Sequence, residues 1–293
     1  MDVDAVNHLP VVDGSGPAAC ANCGNPLSGR FCSSCGQRAD THAHSVRHFF
    51  HEFAEALTHA DSTLWGTLLP LLRRPGFLTR EWFAGHRARY LPPLRVYLFM
   101  SVLFLLVGAS TGGRPDHRVS VQVDKPKAAD CATLQTDLKW GGKSLLPKLK
   151  AACQNMAADN GQQFSENMVH NLGRAMFVFL PLMAALMKLL YWRPPRYYLE
   201  HLVLLLHNHA CIFLLLTLFQ LVLRWVGSGA ITGLLALALT WYSVRYLYRS
   251  MKVMYGQAGW LTFLKFSLLV FAYLVCGSIM LLATAFISAA TLA

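Results

Sequence analysis

The sequence predicts an all-α polytopic membrane protein with about five transmembrane helices. Hydrophobic residues make up 54% of its 293 residues and charged residues only 14%, whereas ordinary soluble domains carry about 25% charged residues. The apolar residues are gathered into long runs, and a helix needs roughly 20 such residues to cross a hydrocarbon core about 30 Å thick. Composition and run length together exclude an ordinary soluble domain.

The formal net charge of +11 comes mostly from arginines near the apolar runs. In a membrane protein such arginines indicate topology and contact with anionic lipid headgroups. We therefore expect the lipid bilayer and its anionic headgroups as partners, and no nucleic acid.

The polar stretch over residues 1–19 contains acidic residues, glycine and proline. It has no basic segment followed by an apolar core, so we expect no cleavable signal peptide in it. Its composition predicts a disordered leader.

Two Cys-x-x-Cys pairs follow, Cys20 with Cys23 and Cys32 with Cys35. Each pair can supply two thiolates to one side of a tetrahedral ion. A glycine follows the second cysteine of each pair, where a tight knuckle needs a residue that turns freely. Four cysteines close the coordination shell, whereas a catalytic zinc needs an open position. Residues 20–38 are therefore predicted to form a zinc ribbon around a structural zinc.

Residues 44–60 are predicted to form an amphipathic helix. One face is aromatic and aliphatic, and the opposite face carries histidines and glutamates four residues apart. Two interpretations of this polar face stay open. It is either a second metal site or proton-responsive surface, or a solvated face whose histidines pair with nearby glutamates.

Two further helices are predicted before the first span. Together with the helix over residues 44–60, they form a predicted region of amphipathic or interfacial helices over residues 41–92. Asp61 or Ser62 can cap the first, and Thr79 is expected to cap the second. Aromatic residues mixed with arginines in the second helix are typical of the membrane interface. The candidate lipid-headgroup contacts are Arg74, Arg80, Arg87 and Arg89. They serve either specific binding of a phosphorylated lipid head or generic anchoring.

The membrane domain is predicted to cover residues 93–293, with Pro92-Pro93 at the entry into the bilayer. Each of its apolar runs has about the length that a bilayer requires. The predicted spans are residues 94–110, 174–192, 200–223, 226–246 and 263–290.

Lysine and arginine in the short connections predict the orientation. The segment before the first span and the second–third and fourth–fifth connections are basic, whereas the third–fourth connection carries only Arg224. Because basic connections stay on the cytoplasmic side, we expect a cytoplasmic N-terminus, an extracytoplasmic C-terminus and an extracytoplasmic loop over residues 111–173. The ribbon thiolates favour the same side, where thiols stay reduced.

Cys131 and Cys153 lie in this outside loop, where a disulfide between them can form. It would close a loop of about 20 residues, worth roughly 3 kcal/mol in the chain-entropy model. Two free thiols are the alternative.

The third span carries a group of polar residues near its start: Glu200, His201, His207 and His209. Glu200 and His207 lie on nearly the same line of the helix, whereas His209 points well away from His207. The three histidines therefore cannot share one ion from this helix alone. With a partner span, Glu200 and His207 could relay protons or hold a metal; ordinary hydrogen bonding between helices is the alternative.

Short motifs spread along the chain resemble the bacterial domain-of-unknown-function family three-six-six-seven. They are Cys-x-x-Cys-Gly, Phe31-Cys32-x-x-Cys35-Gly36-Gln37, Thr58-His59-Ala60-Asp61-Ser62-Thr63, Arg74-Pro75-Gly76, Gly85-His86-Arg87, Tyr90-Leu91-Pro92-Pro93 and Glu200-His201-Leu202. The resemblance covers residues 20–105 well and the rest by layout. It implies a bacterial inner-membrane protein with a cytoplasmic zinc ribbon, and it implies no catalytic residues.

The function expected from these features is a non-enzymatic scaffold or regulator, whose ribbon recruits a protein partner to the membrane. One alternative is a small transporter or lipid-handling protein that uses Glu200 and His207. A membrane enzyme that uses the same histidines is the weaker alternative, and homo-oligomerisation stays open.

Overall fold

The computed structural model describes residues 19–39, 63–111, 150–151, 153–155, 157–158, 162–193, 196–226 and 229–291. The predicted leader, the amphipathic helix predicted over residues 44–60 and most of the long loop lie outside these ranges.

Helices make up nearly all of the described chain beyond the cysteine-rich segment. They are α1 (Thr63–Arg73), α2 (Phe77–Phe83), α3 (Pro93–Thr111), α4 (Gln162–Leu190), α5 (Tyr198–Val226), α6 (Ala230–Tyr255) and α7 (Gly259–Ala290). Four of them, α4 to α7, are long and apolar enough to cross a membrane, while the apolar part of α3, Pro93–Gly108, is shorter. The fold is thus that of a mostly helical protein suited to a bilayer.

The helices extend beyond several of the predicted spans. The second predicted span begins at residue 174, but α4 begins at Gln162; the fourth ends at residue 246, but α6 continues to Tyr255. Hydropathy marks only the part of a helix that suits hydrocarbon. Helical hydrogen bonding continues through polar residues at the start of α4 and at the end of α6. A hydropathy pattern does not detect these parts of a helix.

Helix α5 lies at the centre of the bundle and contacts α2, α3, α4 and α6. Of its most apolar stretch 61% is buried, compared with 6% in α6 and in α7. The outer helices instead expose large apolar side chains, including Trp241 on α6 and Phe263 and Phe271 on α7. Exposed apolar surface of this extent is typical of a lipid-facing protein.

Helices α4 and α7 pack along each other. Near their ends, Asn171 Nδ2 donates to Ser288 Oγ over 3.0 Å. Further along, the rings of Phe179 and Tyr273 meet edge to face, with centroids 5.4 Å apart. Polar and aromatic contacts of this kind associate helices where the hydrophobic effect between them is weak.

The expectation that Thr79 caps a helix is wrong. Helix α2 begins at Phe77, and the preceding residue is Gly76 with φ of 74°. Thr79 lies inside the helix and is buried. The polar side chain suggested a cap, but its hydrogen-bond partner is His207 on α5.

Tyrosines of α6 tie the end of α1 to the bundle. The hydroxyl of Tyr246 donates to the carbonyl of Leu71 over 2.7 Å, and Tyr242 donates to the carbonyl of Leu72. Carbonyls in the last turn of a helix have no partner within the helix. The two tyrosines satisfy them and fix the end of α1 against α6.

Candidate functional site: the cysteine ribbon and its docking loop

The two cysteine pairs form matching knuckles. In the first, the N–H of Gly24 donates to the carbonyl of Cys20 over 2.8 Å; in the second, Gly36 donates to Cys32 over 2.9 Å. Both glycines have positive φ, 76° and 71°. This is the left-handed conformation that glycine adopts without a steric penalty, as predicted for these two positions.

The four thiols come together at one point. Cys20 Sγ lies 3.6 Å from Cys35 Sγ, Cys23 Sγ lies 3.5 Å from Cys32 Sγ, and all four sulfurs are within 4.8 Å of one another. A tetrahedral ion at a metal–sulfur distance of about 2.3 Å separates its thiolates by about 3.8 Å. The sulfurs therefore fit a closed four-thiolate metal site.

Backbone amides favour the thiolate form of the second pair. The N–H of Gln37 and the side chain of Asn22 lower the pKa of Cys35 to about 6. The N–H groups of Cys35 and Ser34 lower the pKa of Cys32. Because a metal binds the thiolate and not the thiol, this knuckle is arranged to receive a cation.

The side chain of Gln37 docks the ribbon onto the loop between α2 and α3. Its Nε2 donates to the carbonyl of Gly85 over 2.7 Å. Its Oε1 accepts from the N–H of Arg87 over 3.1 Å and from that of Ala88 over 3.0 Å. Gln37 is only 8% exposed. One amide thus fixes the orientation of the ribbon relative to the start of the membrane helices.

The loop approaches the ribbon closely at Gly85. Its φ is 93°, and a Cβ at this position would lie 2.8 Å from the Cβ of Ala21. A side chain there would be strained by the backbone and would also strike the ribbon. Glycine is therefore required for this docking.

Part of the ribbon surface is open and carries an aromatic and a basic side chain. Phe31 is 62% exposed, and Arg30 beside it is exposed too. Aromatic residues and arginine are enriched in protein interfaces. The docked ribbon presents these two side chains outward.

Of the four candidate lipid-binding arginines, Arg80 lies on α2, and Arg74, Arg87 and Arg89 lie in the loops on either side of it. Arg74 stacks over the ring of Phe77, and Arg87 over the ring of Trp82, each at 5.2 Å from the ring centroid. Arg80 and Arg89 are exposed. These cation–π contacts hold the first two guanidinium groups against the rings.

Of the candidate polar residues of α5, Glu200, His201 and His207 are buried and His209 is half-buried, but each has its own partner. Glu200 accepts from Arg196 Nη1 over 3.2 Å and from the N–H of Tyr197 over 3.1 Å. His207 Nδ1 lies 3.0 Å from Thr79 Oγ1 on α2. The bonds of Glu200 are local to the start of α5, whereas that of His207 reaches another helix.

His201 and His209 take further, separate partners. His201 Nδ1 lies 2.6 Å from the hydroxyl of Tyr255 on α6, and His209 Nδ1 contacts the carbonyl of Leu205 at 2.8 Å. Tyr255 also stacks on Tyr191, with ring centroids 3.7 Å apart. The structure therefore does not gather the four residues of α5 into one site.

The predicted disulfide falls partly outside the described ranges. Cys153 is disulfide-bonded, but Cys131 lies outside the described residues. The pairing of these two cysteines stays a prediction.

The fold and the ribbon define a helical membrane protein with a cysteine cluster that could hold a metal ion. A family described as "Protein of unknown function (DUF3667)" matches residues 61–105. This match confirms the family resemblance for the segment from α1 to most of α3, and it leaves the ribbon and α5 outside its range. No curated protein and no solved structure matches the chain.

Sequence reasoning missed the roles of Gln37, Thr79 and Tyr255. Gln37 belongs to the motif that follows the second knuckle, which was a signal for it. Thr79 and Tyr255 bond to residues 128 and 54 positions away, and spacing along the chain carries no information about such partners.

Proposed function

We propose that the protein is a non-enzymatic scaffold or regulator of the bacterial inner membrane, whose zinc ribbon recruits a protein partner. The observation that carries this proposal is the docking of the ribbon by Gln37 onto residues 85–88. A ribbon held in one orientation, with Phe31 facing outward, offers a partner a preorganised surface.

Zinc is the metal proposed for the four cysteines. It favours tetrahedral thiolate sites, and four protein ligands leave no position for a substrate. Cys20, Cys23, Cys32 and Cys35 would hold the ion, which would stabilise a unit too small to bury a core of its own. The site is thus proposed as structural.

The proposed topology has five spans, with α3 as the first, a cytoplasmic N-terminus and an extracytoplasmic C-terminus. Basic residues near the ends of the helices support it. Helix α6 carries Arg245, Arg249 and Lys252 in its last part, and all three are exposed. These residues, together with Arg80 and Arg89, would contact anionic headgroups on the cytoplasmic face.

The transporter alternative is weaker because its two residues do not share a site. Glu200 and His207 are seven residues apart, which is about 10 Å along a helix. Each is satisfied by a different neighbour. The bonds of Glu200 hold the start of α5, and the bond of His207 joins α5 to α2.

The experiment is affinity purification after crosslinking in native membranes, with metal content measured on the same sample. If the protein is a scaffold, we expect one specific protein partner. Phe31→Ala should weaken binding of this partner, and the pair Cys32→Ser with Cys35→Ser should abolish it. Glu200→Ala and His207→Ala should retain the partner if the protein still folds. Co-purifying lipid without a protein partner would contradict the proposal.

A further inference from the structure

Gln37 belongs both to the metal knuckle and to the docking contact. Its backbone carbonyl accepts from the N–H of Cys32 over 2.8 Å, and its own N–H donates to Cys35 Sγ. The two cysteines that hold its peptide groups are two of the four candidate metal ligands. The position of Gln37 therefore depends on the folded knuckle.

The knuckle in turn would depend on the metal. In the segment over residues 19–39, the buried side chains are those of Cys20, Cys32 and Gln37. So small a unit has no core to keep it folded, and structural zinc supplies that stability in comparable modules. Removal of the ion would release the backbone of Gln37.

The side chain of Gln37 holds the loop through three hydrogen bonds in a buried place. Among these three bonds, the one from the N–H of Ala88 is the clearest reporter of docking. The N–H of Arg87 is less informative because it also lies 2.9 Å from a second acceptor, the carbonyl of Gly85. If Gln37 moves away, the N–H of Ala88 loses the acceptor that the folded ribbon provides.

We propose that the ribbon is a metal-dependent clamp on residues 85–88. Metal in the four-cysteine site fixes Gln37, Gln37 holds the loop that joins α2 to α3, and loss of the metal releases that loop. The clamp rests on the proposed metal site of the ribbon and does not require a protein partner.

Release would change how the loop presents its basic residues. Arg87 stacks over Trp82, whose side chain is 5% exposed, and Arg89 is exposed two residues further on. Both lie next to the clamped backbone, so their position depends on it. Binding or loss of the metal would therefore change the position of the arginine-rich segment that precedes α3.

Hydrogen–deuterium exchange of the full chain in lipid nanodiscs tests the clamp. The reporter is the N–H of Ala88, and the probes are chelation followed by addition of Zn²⁺. Chelation should speed exchange at Ala88 by about tenfold, the scale of one lost hydrogen bond, and Zn²⁺ should restore the slow rate. Exchange at Ala88 that does not respond to chelation overturns the proposal.

Gln37→Met separates the side-chain contact from the metal site. It keeps the length of the side chain but removes all three hydrogen bonds, so Ala88 should exchange fast even with a full equivalent of Zn²⁺ bound. Ser34→Ala, an exposed change in the same knuckle, is the control and should leave Ala88 slow. Slow exchange at Ala88 in the metal-loaded Gln37→Met protein overturns the clamp.

The amides of α1 distinguish release of the loop from general unfolding. The amides in its last turn should keep their slow exchange after chelation, because the hydroxyls of Tyr242 and Tyr246 on α6 hold the end of α1. Equal loss of protection in α1 and at Ala88 contradicts a local clamp. If exchange at Ala88 responds to the metal but no protein partner is recovered, the clamp stands and the scaffold function alone is refuted.

Discussion

Thr79 on α2 and His207 on α5 are 128 residues apart in the chain and lie 3.0 Å apart in a buried hydrogen bond. This contact joins the family-matched segment over residues 61–105 to the central helix of the bundle. The matched segment is thus part of the packed structure, and the ribbon that docks on it is connected to the membrane helices.

Thr79→Val should destabilise the protein by about 1–3 kcal/mol, the penalty for a buried polar group that has lost its partner. Valine fills the same space but leaves the imidazole of His207 without the hydroxyl. Thermal unfolding of the solubilised protein measures this. Thr79→Ser should retain much of the stability, and Thr240→Val, at an exposed threonine of α6, should change little. Equal stability of Thr79→Val and the wild type would refute a significant role for the bond.

Gly76→Ala should destabilise the protein by at least roughly 1–3 kcal/mol, from the positive φ alone. The φ is 74°, and a Cβ would lie 2.8 Å from the carbonyl oxygen of Ser250 on α6. Gly66→Ala is the matched control, because it lies inside α1 with open space around it. Alanine there should be neutral or stabilise the helix by up to about 1 kcal/mol. Equal unfolding of the two variants would contradict the positive φ of Gly76 and its close approach to Ser250 on α6.

Glu200→Ala and His207→Ala should have independent effects. Their partners differ, and effects of separate sites add within about 0.5 kcal/mol. The measurement is a double-mutant cycle on the free energy of unfolding. A coupling well above that value would mean that the two side chains share a polar path, as the transporter interpretation requires.

Cys32→Ser with Cys35→Ser should remove the metal from the protein while the membrane helices stay inserted. The ribbon contacts the described part of the bundle through loop residues 85–88, so α4 to α7 do not depend on it. Metal analysis of the purified protein and alkaline extraction of membranes check the two halves of this prediction. Full metal content in the double variant would place the ion elsewhere.

The sequence was informative where a pattern is local. Cysteine spacing predicted the ribbon and the two positive-φ glycines, Gly24 and Gly36. Long apolar runs predicted the helices α4 to α7, since burial in lipid requires them. The predicted ends were less accurate because helices continue past the apolar stretch, as α4 does by beginning at Gln162.

Contacts between distant segments could not be predicted. Thr79 looked like a cap because threonine is common in that position, but the backbone turn at Gly76 already starts the helix and frees Thr79 to bond with His207. Glu200 and His207 share a helix line, yet neighbouring elements decide which partner each one meets. Gln37 was visible in a motif, but its role depends on the shape of a loop about 50 residues away.

Photo-crosslinking from position 31 in native membranes is the sharpest test of whether the ribbon recruits a protein partner. A photoreactive phenylalanine analogue would replace Phe31, which is 62% exposed on the docked ribbon, and the same analogue at Trp65, 77% exposed on α1, would serve as the comparison. We expect an adduct with a distinct protein from position 31, which disappears when Cys32 and Cys35 are changed to serine. Adducts with lipid alone, or a protein adduct that survives the loss of both cysteines, would contradict it.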